Sequence, residues 1–242
     1  MFKPFTLAAT DGDPSLAYIP REAGSAAAGS PRAFGSPDDG RPDGMGRAFD
    51  VALALAALAF FAPLMLILAL LVRLSGGPVL YRQARLGLGG RPFTCFKFRT
   101  MRVDGDAILR RVLAQDPRAR AEWERDRKLR NDPRVTPVGR LLRKTSLDEL
   151  PQLFNVLDGS MSIVGPRPIV QAEAHRYGRY FGAYCRVRPG ITGLWQISGR
   201  NATTYRRRIA CDVAYVRTKS LLRDVRIVLA TIPTVCLGRG AY

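Results

Sequence analysis

The sequence predicts an α+β fold, mostly helical, in which one membrane helix precedes a compact basic domain with a small β-hairpin. Three observations predict it. Residues 51–72 form an uncharged apolar run, two strand-patterned segments flank the link Gly87-Leu88-Gly89-Gly90, and helical spacing recurs at 106–130, 138–144 and 221–235. At 242 residues the chain is long enough to bury a sizeable core, as one large domain or two small ones.

Residues 1–46 are rich in Gly, Pro, Ala, Ser and Asp and poor in large apolar side chains. Such a segment cannot bury enough surface to offset its ordering entropy, so it is expected to be disordered. It lacks the basic leader and cleavage site of a secretory signal. Residues 47–75 hold the membrane helix. The run at 51–72 is long enough to cross a bilayer, and Pro63 sits near its centre, where it removes one helical hydrogen bond. Two arrangements follow: a kinked spanning helix, or a helix broken at Pro63 that dips into one leaflet and returns. Arg73, Arg82, Arg85 and Arg91 place the domain at 76–242 on the cytoplasmic side in either case.

Residues 79–82 and 93–100 read as the two strands of the hairpin. Their link matches neither G-x-G-x-x-G nor G-x-x-x-x-G-K, so it reads as a plain turn. Alternation puts Lys97 and Arg99 on one face and Phe96 and Phe98 on the other. Two cations about 7 Å apart suit a diphosphate, and they equally suit a solvated face above a Phe-lined core. The charged helical region at 106–130 is expected to split at Asp116-Pro117, with Ala107, Leu109, Val112 and Leu113 along one apolar edge. It fits an interfacial amphipathic helix or one packed on the domain. The last helix carries a stripe at Leu221, Leu222, Val225, Val228, Leu229, Ile232 and Val235, which closes the domain or rests on the membrane interface.

A formal charge of +18 implies an anionic partner: nucleic acid, an anionic membrane surface or a phosphorylated substrate. Residues 1–47 hold five Lys/Arg against six Asp/Glu, so the excess lies beyond them. Cys95, Cys185, Cys211 and Cys236 are far apart and form no redox or metal pair, which fits free thiols. His175 is alone, which argues against a His-based triad and a His-rich metal site. A membrane-tethered basic module that binds nucleic acid without catalysis fits the charge, although no reader motif is present.

The chemistry-bearing stretch is KTSLDELPQLFNVLDGSMSIVGPRP at residues 144–168. Ser146-x-x-Glu149 has the spacing of a helix capping box, although Pro151 conflicts with a helix capped at Ser146. The functional reading rests on the same residues. Carboxylates beside Arg143 and Lys144 are expected to stay ionised, and a carboxylate is a competent nucleophile on an activated phosphoryl group. Phosphoryl transfer also needs cations on the non-bridging oxygens and usually Mg²⁺ on one or two carboxylates. In Gly165-Pro166-Arg167-Pro168 the two prolines stiffen the backbone, which suits either a rigid turn or a phosphate fork at Arg167. Farther on, RPGITGLWQ at 188–196 and SGRN at 198–201 are two glycine-containing turns around a short strand. There Trp195 reads as core.

These motifs, with KFRTM at 97–101, resemble the bacterial sugar transferase family, the monotopic phosphoglycosyl transferases. The resemblance runs from near residue 50 to Tyr242 and corresponds to the short form without an extra N-terminal transmembrane bundle. It implies transfer of a sugar-1-phosphate from a UDP-sugar to undecaprenyl phosphate, with release of UMP, as the initiating step of exopolysaccharide or related glycan assembly. It makes Asp148 the covalent nucleophile and a Mg²⁺ ligand. Glu149 becomes a supporting acid/base or metal-positioning group, and Lys97, Arg143, Arg167 and Arg200 become phosphate contacts. It favours the re-entrant helix, at the bacterial inner membrane with the catalytic domain on the cytoplasmic face. Anionic membrane lipids and downstream glycosyltransferases are its expected partners; nucleic acid is not. The chain departs from the family pattern at Ser160, where relatives carry an acid, and at Lys219, where they often carry Trp.

Overall fold

The structure, a computed structural model, describes residues 44–126, 128–198 and 204–236. Helix α1 (Gly44–Leu74) leads into a hairpin of β1 (Leu80–Leu86) and β2 (Pro92–Phe98). Next come α2 (Gly105–Gln115), α3 (Pro117–Asp126), α4 (Pro137–Thr145) and α5 (Gln152–Leu157). Strand β3 (Ser162–Val164), short helical turns α6 (Ala174–Tyr177) and α7 (Phe181–Tyr184), strand β4 (Gly190–Thr192) and α8 (Leu194–Ile197) follow. Two longer helices, α9 (Tyr205–Thr218) and α10 (Leu221–Cys236), complete the order. The mostly helical composition, the antiparallel hairpin and the long apolar helix match the sequence reading. A second sheet, the parallel pair β3–β4, is not legible in the turns around 188–196.

Helix α1 begins at Gly44, three residues earlier than expected, and residues 1–43 lie outside the described ones. The expected break at Pro63 is absent, and the helix is continuous across it. A proline removes one donor and displaces one carbonyl, while the flanking apolar residues keep their bonds to one another. Much of the helix is exposed, including Leu55, Phe60, Leu66 and Leu70.

Both ends of α1 are nevertheless tied to the domain. Near its start Arg47 Nη2 donates to Leu157 O at 3.2 Å. The buried Asp50 carboxylate accepts from Ser162 Oγ at 3.0 Å and Ile163 N at 2.9 Å. Ala54 joins a core with Leu153, Val156, Met161, Val164, Tyr215 and Ile227. Toward its end Leu68 and Val72 join Phe98 and Leu142.

Arg99 lies just past β2 rather than on it, and only 7% exposed. Its Nη2 donates to Val72 O and Ser75 Oγ, both at 3.0 Å, so it binds the end of α1 and does not pair with Lys97 as a diphosphate clamp. The split between α2 and α3 falls at Asp116-Pro117, as expected. Asp116 Oδ1 accepts from Arg118 N at 2.8 Å and caps the second helix while Pro117 starts it. In α10 the buried face lies off the predicted stripe, whose Leu221, Val225 and Val228 are only half-buried. Asp224 and Ile227 are buried, with Tyr215 donating to Asp224 at 2.8 Å, whereas Leu222, Leu229 and Ile232 face outward. Cys95, Cys185 and Cys211 are free.

Candidate active site

Helix α4 delivers the acid pair. It starts at a Thr136 cap, whose Oγ1 accepts from Gly139 N at 2.9 Å, with Pro137 in the first turn. Gly139 is required by contact. A Cβ there would lie 2.0 Å from Thr100 O, so the helix rests directly on the chain leaving β2. The helix ends at Ser146, whose φ of 58° is left-handed. Asp148 and Glu149 then occupy a 3₁₀ turn (Leu147–Glu149), and Pro151 precedes α5.

The capping box is therefore absent. Ser146 makes no side-chain cap bond, and the Glu149 carboxylate points instead at cations from elsewhere. Ser146→Gly is expected to leave stability unchanged or raise it by up to about 1 kcal/mol, because no side-chain bond is lost and the left-handed cost disappears. A thermal melt showing a clear loss would restore the capping reading.

Lys97 and Arg167 converge on Glu149. Lys97 Nζ donates to Glu149 Oε1 at 2.7 Å, and Arg167 Nη2 reaches the same oxygen at 3.2 Å. Asp148 stands second in line, its Oδ2 3.9 Å from Lys97 Nζ. Both acids are nearly enclosed, with side chains 14% and 18% exposed. Geometry separates the two. Burial pushes the Asp148 carboxyl up to about 6, against the pull of Lys97 and with the push of the Glu149 charge. Burial opposes ionisation of Glu149 too, but Lys97 and Arg167 overcome it and hold that carboxyl at about 2. Asp148 is thus not the readily ionised helix-terminal acid that the sequence suggested. It lies in a 3₁₀ turn and receives the weaker share of the cations.

Arg143 sits in the last turn of α4, where its Nε donates to Thr100 Oγ1 at 2.9 Å. It acts on Asp148 through space rather than by contact. Arg200 lies outside the described residues. The residue that sequence reasoning missed is Arg85, which with Cys95, Lys97, Glu149 and Arg167 lines a small cavity. The pairing Arg85↔Phe93, Gln83↔Cys95 and Tyr81↔Lys97 puts Arg85 on the Lys97 face of the hairpin. Alternation within β1 held that signal, but using it required the strand register.

Asn155 of α5 fixes the hairpin against the acid turn, accepting from Phe96 N at 2.9 Å and donating to Thr94 O at 2.8 Å. Ser160 and Asp158 belong to this support. Asp158 Oδ1 accepts from Ser160 N at 2.8 Å, and Ser160 Oγ donates to Asn155 O at 3.2 Å. Trp195 is buried, as expected of a core residue, and Arg208 stacks on its ring at 5.3 Å.

The acid pair offers hard oxygen donors of the kind Mg²⁺ takes, one or two carboxylates completed by substrate phosphates and water. Asp148 is the acid without a short ion pair, and the bonds of Glu149 fall on Oε1. Among the described residues no group of three or more His, Cys, Asp or Glu gathers. The residues fit Mg²⁺ only in that substrate-completed form.

The family model described as bacterial sugar transferase matches residues 43–238. The exopolysaccharide production protein ExoY of Rhizobium meliloti is 53% identical over 197 residues, covering 81% of this chain and 87% of that protein. An undecaprenyl-phosphate galactose phosphotransferase of Salmonella typhimurium is 50% identical over 196 residues, 81% of this chain and 41% of its own length. A UDP-glucose:undecaprenyl-phosphate glucose-1-phosphate transferase of Caulobacter vibrioides is 45% identical over 207 residues, covering 81% of this chain and 71% of that protein.

Proposed function

The chain belongs to the bacterial sugar transferase family, and we propose that it is a phosphoglycosyl transferase moving a sugar-1-phosphate from a UDP-sugar to undecaprenyl phosphate in exopolysaccharide synthesis. The observation that carries the reaction is the acid pair itself: one carboxylate locked to Lys97 and Arg167, the other beside it and not locked.

In the first step the Asp148 carboxylate attacks the sugar-bearing phosphorus of the UDP-sugar. An Asp148–phosphorus bond forms, the diphosphate bridge breaks, and UMP leaves with the bridging oxygen and its electron pair. In the second step a phosphate oxygen of undecaprenyl phosphate attacks that phosphorus, which frees the Asp148 carboxylate and gives the lipid diphosphate sugar. Lys97 and Arg167, held in place by Glu149, face the phosphoryl oxygens, with Arg143 and Arg200 as further phosphate contacts. Mg²⁺ held by Asp148 and substrate oxygens would neutralise charge on the diphosphate.

The expected assay result is UMP release from at least one UDP-sugar in a panel offered with undecaprenyl phosphate and Mg²⁺. Release from none, with steeply salt-dependent binding of nucleic acid, would instead favour the basic binding module. A pH dependence is also expected. Asp148 attacks only when ionised, so kcat/KM falls as pH drops through about 6. Below that point the decline steepens to about tenfold per pH unit. Glu149, held at about 2, stays ionised across that range.

For the membrane we propose that the continuous helix α1 lies in one leaflet without crossing it and keeps both ends with a cytoplasmic domain at the inner membrane. The support is that Arg47 and Asp50 at its start and Val72 at its end all bond to the same domain. A straight span would draw one of those contacts across the membrane. The outward Leu222, Leu229 and Ile232 of α10 suit an interface with anionic lipids. A thiol introduced ahead of α1 should resist labelling from outside the cell; labelling there would rule out this topology.

A further inference from the structure

Four consecutive carbonyls around the proline–arginine–proline turn are each held by a different partner. Pro166 O accepts from Gly190 N at 2.8 Å, and Arg167 O from Arg208 Nη2 at 3.5 Å. Pro168 O accepts from Arg85 Nη1 at 2.9 Å, and Ile169 O from Leu86 N at 2.8 Å. Proline supplies no donor of its own and fixes φ, so the turn depends on these outside groups for its orientation. Only one of the four partners, Arg85, is a side chain that also lines the cavity with Lys97, Glu149 and Arg167.

Arg85 is placed there against an electrostatic cost. Its neighbours in bonding are uncharged: Pro168 O, and Gln83 Oε1, which accepts from Arg85 Nε at 3.1 Å. It forms no salt bridge among the described residues, although it lines the same cavity as Arg167. Burial and the Arg167 charge both pull its pKa down. A guanidinium whose only role was to add charge would sit at the surface with a smaller desolvation penalty. This one commits its fork to a glutamine oxygen on one side and the backbone of the turn on the other.

We propose that Arg85 is a positioning residue for Arg167: it grips the carbonyl of Pro168, is aimed by Gln83, and so fixes the direction in which the Arg167 guanidinium meets the donor's diphosphate. The inference rests on the phosphosugar-transfer reading and deepens it. The Arg85 grip turns a proline-stiffened loop into a phosphate fork of defined aim, which displacement by about 1 Å would spoil.

A double-mutant cycle tests this, read both by UMP release and by titration with UDP as the probe. Arg85→Gln is expected to lower kcat/KM about 10²-fold and to weaken UDP binding in the otherwise native enzyme. In an Arg167→Ala background the same change should cost less than about threefold, because the residue it acts through is gone. Gln83→Ala, a milder change at a half-buried position, should give a several-fold loss with the same dependence on Arg167. Melting temperatures of these variants should stay close to the parent. Losses that multiply in the double variant, or an Arg85→Gln enzyme with native kcat/KM, overturn the inference. If no UDP-sugar is turned over, the proposed function fails on its own, and the UDP-binding cycle still decides whether Arg85 acts through Arg167.

Discussion

Asp148→Asn is expected to lower phosphosugar transfer about 10⁴-fold or more while leaving the protein folded. The amide has nearly the same shape but no carboxylate to form the covalent bond, so both half-reactions are lost together. Stability should move the other way. The free carboxyl value is 3.8 and the folded value about 6, so the folded state holds the proton more tightly than the unfolded chain. Asp148 therefore contributes stability below about pH 3.8, and that contribution is lost as pH rises through about 6. At neutral pH the permanently neutral amide of the variant removes this penalty and should raise stability by up to about 2 kcal/mol. UMP release and a thermal melt on one preparation check both halves. Retention of native turnover would end the nucleophile assignment.

Glu149→Gln should be costly in a different way. Lys97 and Arg167 share one oxygen of this carboxylate, so neutralising it leaves the enclosed Lys97 beside the partly exposed Arg167 with the shared charge gone. A stability loss of about 2 kcal/mol and a fall in kcat of about 10²-fold are expected, since removing one partner of an enclosed ion pair strands the other. The more telling result is the pH profile. With the like charge gone and Lys97 free to turn toward Asp148, only 3.9 Å away, the Asp148 carboxyl should ionise more readily. The acid limb is then expected at lower pH than in the parent enzyme. A pH–rate profile of the variant that kept the native midpoint would show that Glu149 does not set the acidity of Asp148.

These two variants also show what the sequence could and could not reveal about the pair. Adjacent acids next to cations were legible, and so was their relevance to phosphoryl chemistry. Their division of labour was not, because it depends on Lys97, 52 residues away along the chain, choosing Glu149 over Asp148. The Ser146 spacing misleads for a related reason. By itself it matches a capping box, but α4 ends at Thr145, the chain turns through left-handed Ser146, and Glu149 pairs with Lys97 and Arg167 instead of capping. Arg99 follows strand alternation on paper, whereas the strand ends at Phe98 and the side chain turns to the end of α1. In α10 periodicity finds the apolar positions but misses the face anchored by Asp224, since a buried carboxylate satisfied by Tyr215 carries no hydrophobic signal.

By itself the sequence determined the elements whose causes are local. The apolar length of α1, the turn between the hairpin strands, the Asp116-Pro117 helix boundary and the stiff proline–arginine–proline turn follow from burial, backbone freedom and capping within a few residues. The tertiary structure alone decided which cation meets which acid, why Asp148 is harder to ionise than Glu149, and that Arg85 holds the turn bearing Arg167. Those outcomes depend on strand register and on carbonyls that accept bonds from distant elements. Neither is encoded at the positions that carry the chemistry, so both emerge only when the hairpin, the acid turn and the β3–β4 region pack together.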